Sequence, residues 1–129
     1  MSSFTIENLL SVQDSAPEFG VGETQEARFA GKALDAEATG LSLHRVKAGK
    51  RQAFGHRHVD AEEVYVVISG SGRIKLGEEI RDIAHLDAIR VAPDVSRGFE
   101  GGPDGLEVIA FGPHHEGDGE LLPDFWPAD

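Results

Sequence analysis

Between Gly55 and Gly72 the chain reads GHRHVDAEEVYVVISGSG. Two histidines, His56 and His58, stand two apart, and Glu62 and Glu63 follow within a few residues. Imidazole and carboxylate are the donor types that hold divalent first-row metals in the absence of thiolates. In an extended strand, residues two apart share a face. Gln52, Phe54, His56 and His58 would then line one side of their strand. On the next strand Glu63, Tyr65 and Val67 would share one face, and Val64, Val66 and Ile68 the other. A strand apolar on both faces is buried on both, or turns one face into a cavity. The carboxylate and phenol on the first face favour the cavity. If the two strands oppose each other, His56, His58 and Glu63 converge. Two imidazoles and one carboxylate with positions left open suit Fe(II), Mn, Ni or Zn. The H-x-H spacing alone leaves a second reading open: a charged turn between two ordinary strands.

The elements that would position these donors are short. Apolar segments at 41–47, 51–56, 62–68, 72–76, 87–92, 97–99 and 106–111 are punctuated by Gly, Pro, Asp and Ser. Ser69-Gly70-Ser71-Gly72 and Gly101-Gly102-Pro103-Asp104-Gly105 read as turns. Closely spaced strands with no helical stretch between them predict an all-β, antiparallel sandwich or barrel. The chain before residue 40 reads as one or two edge strands plus loop. Residues 40–112 read as the barrel core. The tail from 113 reads as an irregular arm anchored by Phe125 and Trp126. At 129 residues these parts make one domain with one core.

Composition narrows the function. A formal net charge of −11 disfavours nucleic acid and anionic membrane surfaces as partners. Cys is absent, so disulfides, thiolate nucleophiles and Cys-based zinc sites are excluded. The start, MSSFTIENLLSV, shows no signal-peptide pattern, and the longest apolar run, Val64 to Ile68, is too short to span a bilayer. A cytoplasmic location is the expectation. No lysine follows Gly70 or Gly72 at phosphate-loop spacing, and no serine has the context of a nucleophile.

The stretch GKRQAFGHRHVDAEEVYVVISG resembles the first motif of the cupin superfamily: Gly49, six residues, His56-Arg57-His58, four residues, Glu63, six residues, Gly70. One spacing is longer by a single residue. The resemblance covers roughly residues 40 to 112. It implies a cupin barrel (a double-stranded β-helix of the jelly-roll type) with a metal or ligand pocket inside. It also implies that Glu63 points inward and Glu62 outward. The second motif, in HLDAIRVAPDVSRGFEGG, is degenerate. Asp87 and Pro93 are kept, Leu86 and Val95 stand where Gly is usual, and Gly101 stands where Asn is expected. Arg97 replaces the expected His. Arginine stays protonated and cannot ligate a metal, so the usual fourth protein ligand is missing.

Two functions follow from the resemblance. In the first, a divalent metal sits on His56, His58 and Glu63, and a small, anionic organic ligand binds beside it. Arg97 and Tyr65 would be the catalytic side chains of an oxygenase or isomerase, and Gln52 and Phe99 would line the ligand pocket. In the second, Arg97 pairs with Glu63 and a metal-free barrel binds or senses a small acid without catalysis. The resemblance also implies a homodimer formed by strand exchange. His85, His114 and His115 read as solvated loop residues, and the face of His44 is not assignable.

Overall fold

Runs of β-branched and aromatic residues with turn residues between them become eight strands in the computed structural model, which describes residues 3–114 and 117–127. In chain order they are β1 (Gln25–Phe29), β2 (Thr39–Val46), β3 (Phe54–His58), β4 (Glu63–Leu76), β5 (Glu79–Ala84), β6 (Ala88–Val91), β7 (Arg97–Pro113) and β8 (Gly119–Pro123). Every pairing is antiparallel, in the order β1-β2-β7-β3-β8, with β4 joined to β5, β6 and β7. This is the expected all-β barrel. No helix among the described residues is long and apolar enough to cross a membrane. Two short 3-10 turns, Leu9–Ser11 and Ala16–Phe19, precede β1.

The barrel interior has two halves. Val46, Val67, Ile74, Val91, Phe99, Leu106 and Val108 form a closed apolar cluster, each at most 2% exposed. Each such side chain contributes roughly 1.5–3 kcal/mol of hydrophobic stabilisation. Along β7, Leu106, Val108 and Ala110 point into this cluster while Glu107 and Ile109 alternate outward, the period of two that a half-buried strand requires. Tyr65 lies where the cluster meets the second half, its ring edge-on to Phe99 at 5.0 Å. Beyond Tyr65 the barrel is hollow.

Three expectations are corrected. First, the glycine stretches are not hairpin turns. β4 runs through Ser69–Gly72 and β7 through Gly101–Gly105, with register shifts between Val67 and Ser69 and between Gly70 and Gly72. Such shifts are β-bulges, which bend long strands around a barrel. The β4–β5 turn comes later, at Gly77, next to the Leu76↔Glu79 pair. Gly70 has φ +74, and a Cβ there would stand 2.1 Å from the Gly105 carbonyl oxygen. Second, β5 lies where no apolar segment was expected. Its residues, EIRDIA, bury only Ile83, so periodicity is too weak to show it. Third, the tail is not wholly irregular, because β8 pairs with β3 from Phe54↔Pro123 to His58↔Gly119. Phe125 and Trp126 follow it as contacts. The Phe125 ring packs under the Lys75 ammonium at 4.0 Å, and the Arg51 guanidinium lies 5.0 Å from the Trp126 ring.

Replacing Gly70 by alanine should destabilise the protein by about 2 kcal/mol or more. The substitution combines left-handed strain with a backbone clash. Urea denaturation of the variant beside wild type reads the loss directly.

Candidate metal centre

β3 ends at His58, the chain crosses a four-residue loop, and β4 begins at Glu63. Side-chain alternation along β3 sends Gln52, Phe54, His56 and His58 to the cavity, and Glu63 and Tyr65 meet them from β4. The focus is one oxygen, Glu63 Oε1. His56 Nε2 lies 3.3 Å from it and His58 Nε2 3.1 Å. The Tyr65 hydroxyl donates a hydrogen bond to the same oxygen and also lies 3.1 Å from His56 Nε2. The ligating atoms of His56, His58 and Glu63 all fall within 4.8 Å of one another, close enough to hold one metal ion. Both ring nitrogens of His58 are buried and face carboxylates, Nε2 towards Glu63 at 3.1 Å and Nδ1 towards Asp118 at 3.3 Å, off the line of a hydrogen bond. A cation at Nε2 would lie between the imidazole lone pair and the Glu63 carboxylate. The residues therefore fit a metal by donor type and convergence. Glu62 faces solvent, with Arg90 3.3 Å from its carboxylate.

Two adjoining cavities share Phe29, Ser42, His58 and Glu63 as walls. The larger, about 370 Å³, is apolar along Val21, Ala27, Phe29, Phe54 and Leu121 and polar at the end formed by His56, His58 and Glu63. The smaller, about 350 Å³, has Lys32 and His114 on its wall.

With this geometry in place, comparison with solved structures is decisive for the fold. A cupin protein from Bacteroides fragilis superposes with a TM-score of 0.72 at 19% identity, over 91% of this chain and 89% of that one. The chain has the cupin fold. The polyketide cyclase RemF from Streptomyces resistomycificus matches with a TM-score of 0.73 at 16% identity, covering 97% of this chain and 88% of its own. A cupin-superfamily sugar phosphate isomerase from Silicibacter pomeroyi matches at 0.70 and 11% identity, with 93% of each chain covered. No protein-family sequence model and no curated protein matches the sequence.

Arg97 occupies a different place in this barrel from the one expected of a substrate-binding residue. Its side chain is fully enclosed and lines neither cavity. Its Nη1 donates to the Pro93 carbonyl at 3.2 Å and its Nη2 to the Ala92 carbonyl at 3.4 Å. Nη2 also lies 3.9 Å from Glu63 Oε1. Strand register sets it there, because Arg97 is opposite His56 on β3. Phe99 is core packing. Gln52 lines the larger cavity, and its side-chain oxygen accepts the Phe99 backbone N–H at 3.0 Å. His85 and His114 are exposed, and His115 lies outside the described residues.

The candidate site has three further members that sequence reasoning missed. His44 and Ser42, on β2, face the larger cavity, with Ser42 Oγ 2.8 Å from His44 Nε2. The segment LSLHRV gives a faint signal, since its polar residues alternate with leucines, but here the polar face is the inward one. Asp118 precedes β8 and lies 3.3 Å from His58 Nδ1. Leu86, where the resemblance expects glycine, has φ 70, the left-handed conformation that explains why glycine suits the position.

Charge on the site follows from burial and its compensation. Burial alone would raise the pKa of Glu63. Hydrogen bonds from His56 and Tyr65, with the charges of His56 and His58, outweigh it and hold the pKa at about 2 instead of 4.5. Tyr65 is pushed well above its ordinary value by burial and by the Glu63 charge, with Arg97 opposing. His44 is lowered from 6.5 to about 4, by burial first and then by the His56 charge, against a smaller pull from Glu63. It is therefore a neutral imidazole at pH 7.

Both lowered values act in one direction. Unfolded His44 takes up its proton near 6.5 and the folded residue only near 4, so stability present above pH 6.5 is lost as pH falls through that window. Glu63 adds a second loss between pH 4.5 and about 2. Each contributes at most about 3 kcal/mol. In chelator, wild-type Tm should fall from pH 7 to pH 4, and His44→Gln should flatten that slope. Equal slopes in the two proteins would remove His44 as the cause.

Proposed function

We propose that this cupin binds a divalent metal ion of the Fe, Mn, Ni or Zn class on His56, His58 and Glu63, and a small organic ligand beside it. The observation that carries this reading is the convergence of His56 Nε2 and His58 Nε2 on Glu63 Oε1, with ligating atoms of all three residues within 4.8 Å of one another. A metal held there would polarise a ligand oxygen as a Lewis acid, which serves both oxygenation and isomerisation. The chain's own groups supply the rest. The larger cavity takes the apolar body of the ligand and excludes water from it. Tyr65, by donating to Glu63, keeps that carboxylate charged and oriented. Neutral His44, held by Ser42, stands on the cavity wall as an uncharged hydrogen-bonding group for the ligand. Arg97 acts from behind the site, as a fixed positive charge beside Glu63. An anionic group on the ligand would meet the metal, or Lys32 on the wall of the adjoining cavity. The cyclase and isomerase among the fold neighbours support an enzymatic reading of the same barrel.

A second reading has its own observation. Arg97 Nη2 stands 3.9 Å from Glu63 Oε1, so the carboxylate has a cation near it without any metal, and a metal-free barrel that binds a small acid fits that pairing. Elemental analysis of protein purified without tag or chelator separates the two. The expected result is about one metal per chain in wild type and none in His56→Ala. Metal in neither protein would favour the metal-free reading and direct screening to small acids by thermal shift.

A homodimer is part of the proposal. Val64 and Val66 stand opposite Phe111 and Ile109 across β4 and β7, and Ile68 and Phe111 are exposed at 37% and 38%. An apolar outer sheet face of this kind suits a second copy of the chain. Sedimentation should give a dimer for wild type and a shift toward monomer for Phe111→Lys.

A further inference from the structure

Asp118 lies far along the chain from the donors, yet its carboxylate touches their loop at three points and His58 at a fourth. Its Oδ1 accepts the backbone N–H of Val59 at 3.0 Å and of Asp60 at 2.9 Å, and its Oδ2 accepts that of Ala61 at 3.0 Å. These three residues belong to the loop that joins His58 to Glu63. Oδ2 also lies 3.3 Å from His58 Nδ1. The Asp118 side chain is 5% exposed, so the carboxylate is built into the protein. Gly119, the next residue, pairs with His58 in the β3–β8 register, which fixes the approach from the backbone side.

A neutral imidazole carries one proton on one of two nitrogens. On Nε2, His58 would donate to Glu63 and could not ligate a metal there. On Nδ1, the proton faces Asp118 and the Nε2 lone pair faces His56 and Glu63. We infer that Asp118 is a positioning residue of the metal centre, holding the His58 proton on Nδ1 so that Nε2 is free to ligate. The inference rests on the metal-binding reading above. Carboxylates that take the second nitrogen of a ligating histidine orient the ring, and their loss weakens metal affinity by about 10–100-fold.

The test uses Asp118→Asn. Two backbone N–H groups hold the amide oxygen at the Oδ1 position and only one competes for it at Oδ2, so the amide NH2 is placed beside His58 Nδ1. There it donates to Nδ1 and drives the ring proton to Nε2. Zinc affinity, read by competition with a chromophoric chelator, should fall about 10–100-fold. Nitrogen-15 NMR of zinc-free protein should show His58 protonated on Nδ1 in wild type and on Nε2 in the variant, which a purely structural role for Asp118 would not produce. Unchanged zinc affinity in a folded Asp118→Asn protein would overturn the inference. So would wild-type His58 protonated on Nε2, a measurement that needs no variant to fold. Wild type that binds no zinc but shows the Nδ1–H tautomer would overturn the metal reading while leaving the control of His58 by Asp118 standing.

Discussion

A carboxylate taken out of water must be compensated, and the cavity half of this barrel is arranged around that demand. Glu63 stands at the start of β4, with its Oε1 shared by two imidazoles and a phenol and approached by an enclosed guanidinium. An isolated buried carboxylate would take up a proton instead of paying the desolvation cost. Here the surrounding donors reverse that tendency and hold it ionised far into acid. Each compensating group comes from a different stretch of chain. The histidines come from β3, the phenol from β4 itself and the guanidinium from the start of β7. Closing the barrel is what brings them within reach of one oxygen.

The long strands make that closure possible. β4 and β7 each cross the barrel and bend at bulges, so one end of each lies in the apolar cluster and the other walls the hollow. Tyr65 belongs to both regions. Its ring packs against Phe99 while its hydroxyl serves Glu63, so core packing fixes the direction of a polar group at the site. Arg97 is similarly placed by register, and two backbone carbonyls and the nearby carboxylate meet part of its cost of burial, while its Nε has no hydrogen-bond partner. A permanent cation at that point reduces the field available to a metal. It distinguishes this chain from the resemblance, in which a ligating histidine would stand there.

The site is also closed from the C-terminal side. β8 lies along β3, Asp118 ties down the loop between the donors, and Phe125 packs across the strand pair near Gly55 and Gly98. Glu100, bridged by Arg51 at 2.6 Å and Arg73 at 2.7 Å, holds the neighbouring surface, where Arg51 meets Trp126. These ion pairs and the half-buried Phe125 and Trp126 rings lie together at this surface, and the β3–β8 pairing anchors the segment to the barrel.

Several of these features were legible in the sequence because they depend on local periodicity. The shared face of Gln52, Phe54, His56 and His58, and that of Glu63 and Tyr65 apart from Glu62, follow from a period of two that tertiary structure does not alter, while the inward direction of Glu63 was implied by the resemblance. The all-β class follows from short apolar runs between turn residues. Other features depend on which chain lies opposite, and no local pattern encodes that. Glycine stretches serve turns and bulges alike, and only pairing between β4 and β7 decided for bulges. Polar Ser42 and His44 face inward because the barrel is hollow at that level, which inverts the usual polar-out rule. β8 became a strand because β3 offered an unpaired edge. Arg97 was placed behind the carboxylate, and Asp118 beside His58, by contacts between residues distant in the chain. The sequence by itself determined which donors share a face, since side-chain alternation is a property of one strand. Only the tertiary structure decided which charges surround them, since that is a property of strands brought together.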